Sequence, residues 1–329
     1  MRVRPIEINW HPRMPIFAKE SFLKAVGDEY GWLGGFSESG ELRCVLPFTI
    51  VRKSIFRMVR FRVETIPMGP DFAVSEEKEF LNLSVGHFRS LKADMIIPAT
   101  ANAIFRTYPD GADAAPYGTY VIDLARPEEE LWRNVAKISR QNIGTAKKAG
   151  VSILKGEEYI DVSYDLVRQT FKRSRLPFMS RAEYGRYIEG LGEHAKVMVA
   201  VLQGTVHSST VYAFSDHCAY AVYGGNLADT QQGTMKLLQW EGVRLFKECG
   251  VKRFDFFGAR IDPEKGSKQE AINSFKRRFG ATLEQGYLWK YPFHPLKYRL
   301  YGLAARVRSG GDIVDAERHK LGRPGGGGA

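Results

Sequence analysis

The feature that most constrains this 329-residue chain is an order of elements that occurs twice. In the first half, "YGWLGGFSESGELRCVLPFTIV" holds two apolar runs joined by Ser39-Gly40, a hairpin signal. The strand "MVRFRVETI" follows, then a helix over 76–91, then the short apolar strand "DMIIPA". A strand near Ile6 and a helix over 16–26 precede them. In the second half of the chain the order returns. "KVMVAVLQGTVHSSTVYAF" is a hairpin turning at Gln203-Gly204, and "CAYAVYGG" is its third strand. A helix over 234–249 and the short strand "RFDFFGA" close the series. Hairpin, strand, helix and strand, met twice, predict two tandem α+β domains, each a mixed, mostly antiparallel sheet flanked by helices.

Between the halves lies "PEEELWRNVAKISRQNIGTAKKAGV". Pro127 and three glutamates open a helix at its favourable end, and Gly150 closes it. Leu131, Val135, Ile138, Asn142, Ala146 and Ala149 share one face; Arg133, Lys137, Arg140 and Lys147 share the other. The predicted organisation is a first domain over 1–148 that includes the linking helix 127–149, and a second domain over 149–310 with a C-terminal helix. Residues 311–329, ending in "GRPGGGGA", are predicted to be a disordered tail.

The net charge is +11, and it is concentrated. Residues 42–63 and 131–156 each hold six basic residues and no acidic one; 271–283 holds three and 285–311 five, again without an acid. Such blocks predict a collected positive surface suited to phosphates. The last block, "HPLKYRLYGLAARVR", spaces Leu296, Leu300, Leu303 and Val307 as a helical stripe, which either docks on the core or lies on a membrane surface. Cys44, Cys218 and Cys249 are far apart, in no metal-ligand spacing, and their odd count suits a reducing compartment. No apolar run approaches the ~20 residues of a membrane span, and the N-terminal segment lacks a signal-peptide core. The expectation is a cytoplasmic monomer, either free or at the inner face of a membrane.

The sequence has no Walker-type phosphate loop, no Gly-x-Ser-x-Gly elbow and no zinc spacing, and His207 and His217 read as structural. "SFKRRFGA" is ambiguous. Ile272, Phe275 and Phe279 share a helical face and read as core, while Lys276, Arg277 and Arg278 are either a solvated helix end before Gly280 or a basic grip on phosphate. In "DTQQGTMKLL" a helix starts at Gly233 after a set of hairpins. That resembles the Gcn5-related N-acetyltransferase (GNAT) fold, whose helix start holds the pyrophosphate of coenzyme A. The run Gln231-Gln232-Gly233-Thr234-Met235 has one glycine where that fold's loop has two.

The duplication, the linking basic helix and the stretch "RFDFFGARIDPEKGSKQEAINSFKRRFGA" together resemble the FemABX family, in its form without a coiled-coil arm. These are peptidyl transferases of two GNAT-like domains that move an amino acid from aminoacyl-tRNA to an amine. The resemblance implies a Phe275-Lys276 pair whose lysine meets phosphate of the tRNA end, with Arg277 beside it, and a site tyrosine at Tyr223. It implies another at Tyr184, where the arginine usual four residues earlier is Ser180 and Arg181 stands next to it. It also implies a turn at Gly69-Pro70, followed by Asp71, beside the first-domain groove. Where some members place an acceptor-binding acid, this chain has Ile97-Pro98-Ala99-Thr100. The implied function is aminoacyl transfer to a peptidoglycan precursor or related amine. Aminoacyl-tRNA is the co-substrate, and no cofactor or metal takes part. Lys276 and Tyr223 are the catalytic candidates, and Asp71 and Asp255 are weak candidates for a base. Two other readings stand beside it: an N-acyltransferase using acyl-CoA or an acyl carrier through Gly233, and a non-catalytic RNA-binding protein.

Overall fold

In the computed structural model, which describes residues 1–321, the alternating runs of the first half form an antiparallel ladder. Strand β1 (Arg2–Ile6) pairs with β2 (Glu29–Phe36), β2 with β3 (Leu42–Lys53), and β3 with β4 (Phe56–Arg60). Helix α1 (Glu20–Val26) precedes β2. After the short β5 (Ile66–Pro67), helix α2 (Val74–Ser90) carries the chain back, so β6 (Met95–Ile96) lies parallel to β4. The long β7 (Asp113–Asp123), α3 (Glu128–Asn134) and α4 (Lys137–Lys148) follow.

The second half repeats the pattern. After β8 (Ser152–Lys155), α5 (Ile160–Arg173) and α6 (Arg181–Leu191), the strands β9 (Ala195–Leu202), β10 (Thr205–Phe214) and β11 (Ala219–Asn226) form an antiparallel meander. Helix α7 (Thr234–Glu248) then returns the chain to β12 (Arg253–Asp255), parallel to β11. Each half thus ends its ladder in a strand–helix–parallel strand crossover, the α+β unit read from the sequence. Helix α8 (Lys268–Arg277), β13 (Thr282–Pro292), α9 (Pro295–Ser309) and α10 (Ile313–Leu321) complete the described chain.

The halves share one sheet. β13 pairs along its length with β7 and, at Tyr291 and Pro292, with β6. A strand from the end of the chain therefore stitches the first ladder to the second. A shared core of Phe17, Phe22, Trp32, Val45 and Val63 from the first half meets Tyr184, Tyr187, Val197, Val211 and Tyr220 from the second. Helices α1 and α6 touch so closely that a Cβ on Gly190 would collide with Ala25.

Three sequence expectations need correction. The linking helix is two helices, broken at Val135-Ala136. The Ala136 N–H donates to Arg278 O at 2.8 Å, and the Arg140 guanidinium caps the end of α3 through the carbonyls of Trp132, Arg133 and Val135. The break turns Ile138 to solvent, while Leu131, Val135, Ile143 and Ala146 pack in the second half's core. Ile272, read as core, is also exposed. The stretch after 310 is not disordered over its first part. Lys290 holds Asp312 and Asp315 at 2.8 and 2.6 Å, and Val314 is fully buried, so 313–321 folds as a docked helix. The rest of that predicted tail, 322–329, lies outside the described residues.

Candidate active site

Strand β4 ends at Arg60, and the chain then bends at Arg62 and Val63; every second residue from Arg60 is ionisable: Arg60, Arg62 and Glu64. The residues between them, Phe61 and Val63, are fully buried in apolar cores, and the three ionisable side chains are partly or wholly buried beside them. Arg62 is 9% exposed. Its guanidinium donates to Val26 O at 2.6 Å and to Thr49 Oγ1 at 3.3 Å, and it has no carboxylate partner among the described residues. Arg60 Nε is buried and finds no hydrogen-bond partner among the described residues. Burial lowers the pKa of both; Arg62 falls to about 9, with Arg60 adding like-charge repulsion.

The second half supplies what faces these arginines. Burial pushes the Tyr223 phenol up to about 12, with Arg60 and Arg62 pulling it back. Tyr187, raised further by burial, also senses Arg62. The Tyr223 ring stands in an aromatic cluster, 5.2 Å from Phe178, 5.6 Å from Tyr187 and 6.3 Å from Tyr184. Tyr184 is fully buried and donates to Ser163 Oγ at 3.3 Å, so it shapes the cluster from behind.

Glu64, at the far end of the row, is partly buried, and its carboxyl is raised to about 8 by burial, with Asp255 repelling it. Asp255, at the end of β12, accepts from Thr119 Oγ1 at 2.5 Å and from the Phe257 N–H at 2.6 Å. Phe257 and Gly258 both have positive φ, +59° and +75°, a sharp turn that aims two carbonyls at one point. Lys276 fills that point. It is 6% exposed, and Nζ donates to Phe257 O at 3.3 Å and to Gly258 O. Burial lowers its pKa while Asp255 opposes the shift; burial raises Asp255, which Lys276 in turn steadies.

The structure therefore brings Tyr223, Tyr184 and Lys276 to the junction and leaves the other sequence candidates elsewhere. Lys276 does not join Arg277 and Arg278 in an exposed grip; those two point to solvent and Lys276 points inward. Phe275 packs on Phe279 and Phe256 at the edge of the second core. Arg181 is exposed and held by Asp161 and by Asp165, the latter at 2.7 Å. Gly69-Pro70 leads into α2, where Arg43 binds the exposed Asp71 at 3.0 Å. Gly233 is half-buried away from the junction: its φ of +88° starts α7, and a Cβ there would run into the Asn142 carbonyl of α4. The 42–63 block is no free basic surface either, since Arg52 and Arg57 both pair with Glu29, at 2.6 and 2.8 Å. Arg60, Arg62, Glu64 and Tyr187 were missed from sequence, although "RFRVE" carries their alternation openly. Among the described residues no cluster of His, Cys, Asp or Glu is placed to hold a metal.

Comparison with known proteins bears on the fold. A FemAB family model matches residues 105–205, the stretch from Phe105 through the linking helices to the first residue of β10. No curated relative matches the chain. The solved structure of FemX is similar over 90% of this chain and 99% of its own, at 14% identity and a TM-score of 0.66. The C-terminal domain of a putative lysylphosphatidylglycerol synthetase from Agrobacterium fabrum gives 14% identity and a TM-score of 0.56, covering 89% of this chain and 93% of its own. L-PGS from Bacillus licheniformis gives 12% and 0.51, covering 85% and 90%. A FemAB family model thus matches about a third of the chain, across the linking helices, and the chain has the fold of FemX.

Proposed function

We propose that the protein transfers an aminoacyl group from aminoacyl-tRNA to the amine of a peptidoglycan precursor or a related acceptor, at the junction lined by Arg60, Arg62, Glu64 and Tyr223. One observation carries the choice of donor. In a GNAT-type enzyme a helix start holds coenzyme A pyrophosphate. Here the start of α7 is crowded by α4, whose Asn142 carbonyl would meet a Cβ on Gly233, and the first turn of α2 is occupied by Glu76 and Glu77, ion-paired with Arg43 and Arg106. Neither crossover helix offers a pyrophosphate seat. An aminoacyl ester needs none, because it is already activated.

In this reading the acceptor amine attacks the ester carbonyl. A C–N bond forms, the C–O bond to the ribose 3′-oxygen breaks, one proton leaves the amine and one joins the departing oxygen. Glu64 takes the amine proton; a carboxyl raised towards neutrality is suited to that. Tyr223 keeps its proton at neutral pH and donates towards the leaving oxygen. Arg60 and Arg62 answer the negative charge of the tetrahedral intermediate or of an acceptor phosphate. Lys276 is a positioning residue: it fixes the Phe257–Gly258 turn, and Phe257 enters the shared core 6.4 Å from Phe17.

The test is a transfer assay with radiolabelled aminoacyl-tRNA and, separately, acetyl-CoA, against cell-wall precursors and small amines. Label should move from tRNA to an amine. Transfer from acetyl-CoA alone would sink the reading in favour of an acyl-CoA enzyme. Binding of charged and uncharged tRNA without transfer would favour the RNA-binding alternative.

A further inference from the structure

Helix α9 is anchored by one face and bare on the other. On the inner face Tyr298 Oη donates to Asp113 at 2.5 Å, Tyr301 packs 5.7 Å from Phe56, and Lys297 Nζ reaches Asp94 at 2.8 Å. On the outer face Leu296, Leu300, Leu303 and Val307 are 68%, 53%, 58% and 91% exposed. Their spacing of four, three and four residues makes one stripe about 16 Å long at 1.5 Å per residue. Ile55 extends it. It sits 62% exposed at the tip of the β3–β4 turn, and its carbonyl accepts from Lys297 Nζ at 3.2 Å.

Along α9 itself the charge in the sequence has one sign. Arg299 and Arg306 are exposed along one side of it, Lys53 is exposed in the Ile55 turn, and no acid occurs from 285 to 311. A contiguous apolar face of this kind is uncommon on a surface that meets only water. With basic flanks it has the pattern of a helix lying in a lipid interface, and the sign of the flanks selects anionic headgroups. A second copy of the chain is a poorer occupant, because a twofold contact would set basic flank against basic flank. Among the described residues no helix is long and apolar enough to cross a membrane, so the contact is a surface one.

We propose that the outer face of α9, together with Ile55, docks the protein on an anionic bilayer. The inference is independent of the donor in the transfer reaction. It is tested by co-sedimenting the full chain with vesicles of phosphatidylcholine alone and of phosphatidylcholine with phosphatidylglycerol. Binding should require the anionic lipid, weaken with salt, and fall at least tenfold in the L300D/L303D variant. Those side chains are exposed, so the thermal melt of the variant should match the wild type. R299E/R306E should lose binding to a lesser degree. Absence of vesicle binding by the wild type, or L300D/L303D binding as the wild type does, would overturn the proposal. So would a wild-type dimer in sedimentation velocity that L300D/L303D abolishes without any vesicle binding, which would assign the face to a second copy. Equal binding to neutral vesicles would overturn the role given to the basic flanks.

Discussion

Two sets of buried charge meet at the junction, and they are built differently. Lys276 and Asp255 are answered on the protein's own side: the amine by two carbonyls, the carboxylate by Thr119 and the Phe257 N–H, and each by the other's charge. Arg60 and Arg62 are answered in part. One donates to a carbonyl and a hydroxyl, the other leaves a buried nitrogen unpaired, and neither has a counter-charge among the described residues. A buried charge without a partner costs several kcal/mol. The contrast teaches that the first set holds the architecture of a strained turn, while the second is kept in a state that an incoming anion completes.

The largest effect should come from breaking the satisfied set. Lys276→Ala leaves Asp255 buried without its counter-charge and two carbonyls without a donor. It should therefore destabilise the fold by about 3–5 kcal/mol, read by denaturant titration. As a solvated helix end Lys276 would be dispensable to the fold; its burial argues otherwise. The double variant K276M/D255N should recover part of the loss, and a K276A protein as stable as the wild type would break the comparison.

Arg60→Gln should do the reverse. It removes an uncompensated charge, so stability should hold within about 1 kcal/mol or rise. Transfer should fall about 100-fold, as when a donor aimed at developing negative charge is lost. Loss of stability in parallel with activity would put Arg60 in the same class as Lys276. Tyr223→Phe should sharpen the distinction at smaller amplitude. The ring stays in its aromatic cluster, so the melt should not move, while the turnover rate falls by about 10- to 100-fold with the acceptor KM little changed.

Much of the fold was legible because it is carried by local signals. The hairpin turns, the 234–248 helix and the repeated crossover all announce themselves by periodicity and glycine placement. The strand β13 in the middle of the sheet was not legible, since its partners β6 and β7 lie far away in sequence and no local pattern names them. The break at Val135-Ala136 was hidden for a related reason: it depends on Arg278 O and the Arg140 side chain. The site divides in the same way. Tyr223 and Lys276 came from a family likeness, but the inward turn of Lys276 rests on the positive φ of Phe257, which no propensity predicts. Arg60 and Arg62 looked like one more basic run until the second half was laid over them.

Glu64 offers the finest cut, because it tests the same junction through pH. Its folded-state pKa of about 8 lies well above the usual carboxylate value, chiefly through burial. A carboxyl raised in this way favours the folded state while protonated. That contribution is fully present below the ordinary value of 4.5 and is lost as the pH rises through about 8. Glu64→Gln cannot ionise, so its melting temperature should track the wild type in mild acid and exceed it by a few degrees at pH 9. Activity should part company with stability over the same range. In the wild type, kcat/KM should climb with pH towards a plateau above about 8 as the base ionises, and Glu64→Gln should lose that limb. A Glu64→Gln enzyme that keeps the rising limb would remove Glu64 from proton transfer. If it also kept the stability gain in alkali, Glu64 would move to the side of Lys276, as a group whose charge the fold merely tolerates.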